Sequence, residues 1–214
     1  SVTEKIMAIT QDPIVIMNHS LRVTFSIGIS ICPNDGNNSD ILLRNADIAM
    51  YKAKDKGKNT YQLYNASMTE EMIKRISLEK EIRQAVKNQD FLSYFQPQVN
   101  ARTNKVTGAE VLIRWNHKEL GFVQPDAFIK LSEEVGLIVE IGKWIMLNSI
   151  KIFIKMQNSG LETGKLSINI SVKQLEHKGF MTDVRQILQE TNFDPRRLEF
   201  EITESQIMKD PEKT

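Results

Sequence analysis

The sequence predicts an α/β protein, and three observations carry that prediction. Apolar residues recur with period two in some segments and with helical spacing in others, and the two kinds of segment alternate along the chain. The later part runs strand, helix, strand, which is the order of parallel β/α units. A mostly charged helical stretch over residues 65–90 separates a short α/β piece from a longer one.

The elements follow in order. VTEKIMAI places Val2, Ile6 and Ile9 at helical spacing and stops at Asp12-Pro13. RVTFSIGISI alternates, with Val23, Phe25, Ile27, Ile29 and Ile31 on one face of a predicted strand. A Cys-Pro-Asn-Asp-Gly turn leads to SDILLRNADIAMYKAKDKG. This reads as a helix capped by Ser39, striped by Leu42, Ala46, Ala49, Met50 and Ala53, and stopped by Gly57. YQLYN is a short strand. SMTE, from Ser67 to Glu70, reads as a capping box opening the charged helix, whose apolar positions are Met72, Ile76, Leu78, Ile82 and Val86. The expected role of that helix is a solvated connector. Beyond it, LSYFQPQV, VTGAEVLIRW, KLSINISV and RLEFEITES are four strands. PDAFIKLSEEVG, LIVEIGKWIMLNSIKIFIKMQ and KGFMTDVRQILQET are helices, the first with Pro125 in its opening turn.

Composition narrows the function classes. A chain of 214 residues holds one or two domains, and 41% hydrophobic with 26% charged residues is ordinary for a globular protein. The net charge of +1 and the lack of any run of five basic residues give no reason to expect DNA or RNA as a partner. The single Cys32 excludes an internal disulfide and is expected to be a plain buried residue. No apolar stretch reaches the roughly 18 residues of a membrane helix, and no signal peptide opens the chain. The expected location is therefore cytoplasmic, with any membrane anchor left to regions outside these residues. His19, His117 and His177 lack metal-ligand spacing and are expected in surface or turn roles. No glycine-rich phosphate loop is present, and Ser171 has no neighbouring histidine to make a hydrolase triad.

Strand parity points to chemistry. Side chains alternate between the two faces of a strand. Leu166, Ile168 and Ile170 oppose Ser167, Asn169 and Ser171. Leu198, Phe200 and Ile202 oppose Glu199, Glu201 and Thr203. Ala109, Val111, Ile113 and Trp115 oppose Gly108, Glu110, Leu112 and Arg114, while Tyr94, Gln96 and Gln98 share a face. If these strands are neighbours, Glu110, Asn169 and Glu201 converge. Two carboxylates brought together repel, and each is costly to desolvate. A hard divalent cation, Mg²⁺, Mn²⁺ or Ca²⁺, would remove both penalties. Arg114 could then fork onto an anion such as phosphate. A polar strand face that simply meets water is the other reading, and the residues alone leave both open. Glu204 lies three beyond Glu201, so it faces the other way on an ideal strand.

YFQPQVNARTNKVTGAEVLIRW, followed by GFVQPDAFIKLSEEVGLIVEIGKWIM, SINISVKQL and LEFEITES, closely resembles the EAL family of cyclic di-GMP phosphodiesterases. The signature triplet reads Glu110-Val111-Leu112, with Val in place of the middle Ala; that position should face the helices. VTFSIGISICPNDG and LLRNADIAMYKAKDKGKNTYQLY resemble the C-terminal half of a GGDEF, or diguanylate cyclase, domain. The resemblance implies a tandem protein. Residues 1–64 would be a partial GGDEF domain, 65–90 a linker helix, and 91–214 the N-terminal half of an EAL-type (β/α) barrel. It also implies site roles. Glu110, Asn169 and Glu201 would be metal ligands for Mg²⁺ or Mn²⁺. Gln96, Leu112 and Arg114 would line the dinucleotide, and Glu204 would steady a loop beside the metals. Lys54 matches a triphosphate-contacting lysine, and Lys58 stands where the family usually has Arg. The implied reaction is metal-dependent hydrolysis of cyclic di-GMP to linear pGpG.

Two departures qualify this expectation. The GGDEF motif itself is absent, so cyclase activity is not expected. No Asp-Asp pair occurs anywhere, although the family's site uses one, and residues 91–214 are about half of the roughly 250 that such a barrel typically needs. The expectation is an incomplete barrel, inactive alone, whose open edge is covered by self-association or by the missing half. The alternative is a degenerate GGDEF–EAL module that binds nucleotide or protein partners without turnover.

Overall fold

The structure, a computed structural model, describes residues 2–9 and 12–202. The chain divides into two compact units, Ser1–Ser77 and Leu78–Thr214.

In the first unit, α1 spans Val2–Ile9, and β1 (Ile14–Ile16) pairs antiparallel with β2 (His19–Leu21). Met17 and Asn18 both take positive φ, 45° and 67°, as a two-residue hairpin turn requires. The strand predicted over Val23–Ile31 is shorter: β3 is Ile27–Ile29. It pairs parallel with β4 (Tyr61–Leu63), which offers only three partners, so alternation extends beyond the hydrogen-bonded segment. Between them runs α2 (Ser39–Asp55). Its cap is Asn38 rather than Ser39, because the Asn38 side chain accepts from the Ile41 N–H at 2.9 Å. A Cβ on Gly28 would lie 1.9 Å from the Ala46 carbonyl oxygen, so only glycine lets α2 settle onto β3. Cys32 is exposed, not buried: it follows β3 in a turn whose adjoining residues Ile31, Pro33 and Asn34 are exposed as well.

The boundary between units falls inside α3 (Ala66–Asn88). The predicted capping box at Ser67 is not the start signal. Asn65 precedes the helix, and its Oδ1 accepts from the Met68 N–H at 3.3 Å and from the Ser67 hydroxyl at 2.6 Å. Ser67 thus spends its hydroxyl as a donor to the capping side chain.

The second unit is an open sheet with helices on its apolar face. Its strands are β5 (Phe91–Val99), β6 (Val106–His117), β7 (Gly121–Val123), β8 (Lys165–Asn169) and β9 (Leu198–Glu201). The order is β5-β6-β8-β9, with β7 paired to the end of β6. β5 is antiparallel to β6, whereas β8 and β9 follow β6 in parallel. All four expected strands are present and adjacent; the three-residue β7 was not predicted. The helices are α4 (Pro125–Glu134), α5 (Ile138–Asn158), α6 (Val172–Glu176) and α7 (Phe180–Thr191).

Two apolar clusters hold this unit. One joins Val111, Leu166 and Ile168 of the sheet to Ile150 and Phe153 of α5 and to Val184 and Ile187 of α7. Val111 is 3% exposed there, so the substitution in the triplet is absorbed as core packing. The other gathers Phe91, Trp115 and Phe128 with Ile82 and Ala85 from the later half of α3. The Phe91 and Trp115 rings each lie 5.6 Å from that of Phe128. Full burial of one such ring contributes about 1.5–3 kcal/mol.

Candidate metal and phosphate site

Residues paired side by side in a sheet point to the same face. Register aligns Gln96, Glu110, Ser167 and Glu199 in one row across β5, β6, β8 and β9. Two residues further along lie Tyr94 beside Leu112, and Asn169 beside Glu201. The opposite face is the helix-packed core. The sheet therefore brings the polar residues of four strands onto one open surface.

Asn169 and Glu110 meet directly: the Asn169 amide Nδ2 donates to Glu110 Oε1 at 2.6 Å. Glu201 is the register partner of Asn169. The Gln98 amide Nε2 lies 3.4 Å from both Glu201 Oε1 and Ser167 Oγ. Glu110 and Glu201 are half-buried and Asn169 is exposed. Neither carboxylate makes an ion pair among the described residues. Glu199, on the same face, is neutralised by an ion pair with Lys165. That pairing separates the three carboxylates of the face into one satisfied and two unsatisfied, a distinction that alternation alone could not make.

The donor set suits a hard cation. Two carboxylates without a counter-cation and an amide that can turn its oxygen toward them are oxygen ligands of the kind such an ion takes. Among the described residues no three His, Cys, Asp or Glu side chains cluster as a metal site would need, so the acidic groups of this set number two without Asn169 or further residues.

Gln96 stands beside Glu110 in register and is exposed, and Leu112 stands beside Tyr94. Arg114 is one further row along β6, beside Leu92. Its Nη1 donates to the Ile113 carbonyl oxygen at 2.8 Å, and its guanidinium carbon lies 5.8 Å from the centre of the Tyr94 ring. No carboxylate among the described residues pairs with it, which leaves its other donors to an anion. Glu204 lies outside the described residues. Lys54 and Lys58 belong to the first unit: Lys54 sits in the last turn of α2, and Lys58 takes a φ of 60° in the turn beyond it.

Two features of this face escaped sequence reasoning. Gly108 lets the strands close: a Cβ there would meet the Lys165 carbonyl oxygen at 2.7 Å and Gln98 Oε1 at 2.9 Å. Phe122 joins the face through β7, paired with Asn116. The turn leading to β7 is held by His117, whose Nδ1 accepts from the Glu119 and Leu120 N–H groups at 3.2 and 3.1 Å. Its Nε2 lies 3.4 Å from the Glu81 carboxylate of α3.

Residues 79–214 match the EAL domain model, and residues 1–60 match the model described as diguanylate cyclase, GGDEF domain. The chain is 34% identical to the bifunctional diguanylate cyclase/cyclic di-GMP phosphodiesterase MucR of Pseudomonas aeruginosa, over 98% of its own length and 31% of MucR. It is 33% identical to the cyclic di-GMP phosphodiesterase PdeR of Escherichia coli, over 87% of its length and 28% of PdeR. It thus spans about a third of the length of these relatives. A solved structure, the PaMucR phosphodiesterase in complex with c-di-GMP, superposes with a TM-score of 0.59 at 31% identity, covering 64% of this chain and 56% of that one. No described helix is long and apolar enough to cross a membrane. With the family model spanning more than half of its residues, the chain belongs to the EAL domain family and carries a segment of the GGDEF type ahead of it.

Proposed function

We propose that this chain supplies part of the active site of a cyclic di-GMP phosphodiesterase, with Glu110, Asn169 and Glu201 holding a divalent cation, Mg²⁺ or Mn²⁺. The observation that carries the reading is the pair of carboxylates without a counter-cation on one sheet face, with Asn169 bonded to Glu110 and lying beside Glu201 in register. The relatives named for cyclic di-GMP hydrolysis and the solved complex with that ligand support the choice of substrate.

In this reading, water adds across one phosphodiester of the cyclic dinucleotide, the bond from phosphorus to the leaving ribose oxygen breaks, and linear pGpG is released. A divalent cation, when bound, supplies positive charge for the phosphoryl oxygens and a more acidic water. The chain's own residues do the rest. Glu110 and Glu201 provide the negative charge that makes a cation site. Asn169 would hold such a cation through its amide oxygen in place of its hydrogen bond to Glu110. Arg114 donates to a phosphate oxygen, and Gln96 and Leu112 line the dinucleotide beside it. Glu204 is assigned the steadying of a neighbouring loop. Lys54 and Lys58 are assigned vestigial phosphate contacts of the GGDEF-type segment, without cyclase activity.

We also assign residues 1–64 to the GGDEF part, 65–90 to the linker and 91–214 to the EAL part. The test is hydrolysis of cyclic di-GMP by the full-length protein carrying these residues, followed as pGpG formation with Mg²⁺ or Mn²⁺ and with chelator. Formation of pGpG that stops on chelation supports the reading. Binding without turnover in either metal would replace it with the non-catalytic module.

A further inference from the structure

Two large aromatic side chains stand on the site face with much of their surface in solvent: Tyr94 is 47% exposed and Phe122 58%. Their rings meet nearly at right angles, 83° apart with centres separated by 6.1 Å. Arg114 lies against the same Tyr94 ring, 5.8 Å from its centre. Each position is fixed by a strand: Tyr94 by its pairing with Leu112, and Phe122 by its pairing with Asn116. The three side chains form a corner made of two rings and an uncompensated cation.

Such a corner is a poor solution for folding alone. The apolar surface of both rings would gain by moving to the helix-packed side, and the Tyr94 ring face attracts the guanidinium of Arg114 without neutralising its charge. It is a good solution for a ligand that is flat and apolar on one part and anionic on another. The corner also adjoins the proposed cation site. Tyr94 is two residues from Gln96, the register partner of Glu110, which is about 7 Å along the strand. A nucleotide spans a comparable distance between its phosphate and its base.

We propose that Tyr94 and Phe122 form the platform for one purine base of the cyclic dinucleotide, while Arg114 reaches the phosphate next to that base. The proposal rests on the cyclic di-GMP reading and deepens it. Stacking of a base on an aromatic side chain recognises any purine face, so the platform contributes affinity while choice of base lies elsewhere.

The experiment compares wild type with Tyr94→Ala, Tyr94→Phe and Phe122→Ala in the full-length protein. It measures the dissociation constant of cyclic di-GMP by calorimetry and the Mn²⁺ affinity by magnetic resonance. It also follows the fluorescence of a 2-aminopurine cyclic dinucleotide, which is quenched on stacking. The expected result is about tenfold weaker dinucleotide binding for each alanine variant. Quenching should be lost in Tyr94→Ala and kept in Tyr94→Phe, with Mn²⁺ affinity unchanged throughout. Unchanged dinucleotide affinity in both alanine variants, with wild type binding normally, overturns the platform and leaves the phosphodiesterase reading standing. A parallel loss of Mn²⁺ affinity makes the rings structural supports and also overturns it. If wild type binds no cyclic di-GMP, both readings fall.

Discussion

The Asn169 side-chain amide donates to Glu110 Oε1 at 2.6 Å, joining adjacent parallel strands on the open face of the sheet. In that pose the amide stands in for a cation beside the carboxylate, offering a partial positive charge where a full one would bind. In the proposed site, Asn169 would give up this bond and offer its amide oxygen to the cation. Asn169→Ala should therefore weaken Mn²⁺ binding about tenfold or more without unfolding the protein, read by paramagnetic titration alongside circular dichroism. Unchanged Mn²⁺ affinity would remove Asn169 from the ligand set.

Three carboxylates share the face, and their partners set them apart. Glu199 pairs with Lys165, whereas Glu201 has no cation partner among the described residues. Glu199→Gln should leave Mn²⁺ affinity within about twofold and, as an exposed pair, alter stability by about 0–1 kcal/mol. Glu201→Gln should lower Mn²⁺ affinity by about tenfold or more. Equal effects from the two substitutions would mean that the Lys165 pairing does not sort them.

Gly108 sits where β6 passes between β5 and β8. A methyl group there would press on the Lys165 carbonyl oxygen at 2.7 Å and on Gln98 Oε1 at 2.9 Å, and the backbone oxygen cannot turn aside. Gly108→Ala should destabilise the fold by about 1–3 kcal/mol, measured by chemical denaturation, and should weaken cation binding by moving Glu110 relative to Asn169. A neutral effect on both would mean that the strands have room to part.

The loop before β9 offers a pH test. Arg196 donates from its side chain and its backbone to Asp194, and these bonds hold the carboxyl below its ordinary range. A carboxyl lowered in the folded state adds stability above its unfolded pKa and loses it as pH falls through its folded one. The thermal stability advantage of wild type over Asp194→Asn should be present at neutral pH and shrink on acidification. An advantage that grows on acidification would contradict that sign.

Much of the site was legible because strand alternation is a strict geometric rule. Once β5, β6, β8 and β9 proved to be neighbours, Glu110, Asn169 and Glu201 were bound to share a face with Gln96, Leu112 and Arg114. What stayed hidden depended on contacts between distant residues. Alternation counted Glu199 and Glu201 alike, and only the reach of Lys165 told them apart. The three-residue β7 carries too little pattern to read, so Phe122 went unassigned. The starts of α2 and α3 were misplaced toward a nearby serine, because Asn38 and Asn65 outcompete it as acceptors for the first N–H groups. Cys32 was expected inside on residue type alone, yet it sits in an exposed turn.

The central claim is that Glu110 belongs to a cation site that drives phosphodiester hydrolysis. The most direct measurement is the rate of pGpG formation from cyclic di-GMP in saturating Mg²⁺ or Mn²⁺, for full-length wild type and its Glu110→Ala variant. The expected result is a metal-dependent rate in wild type and a fall of at least about a hundredfold in the variant, with the fold intact. A Glu110→Ala protein that turns over cyclic di-GMP at the wild-type rate would contradict it.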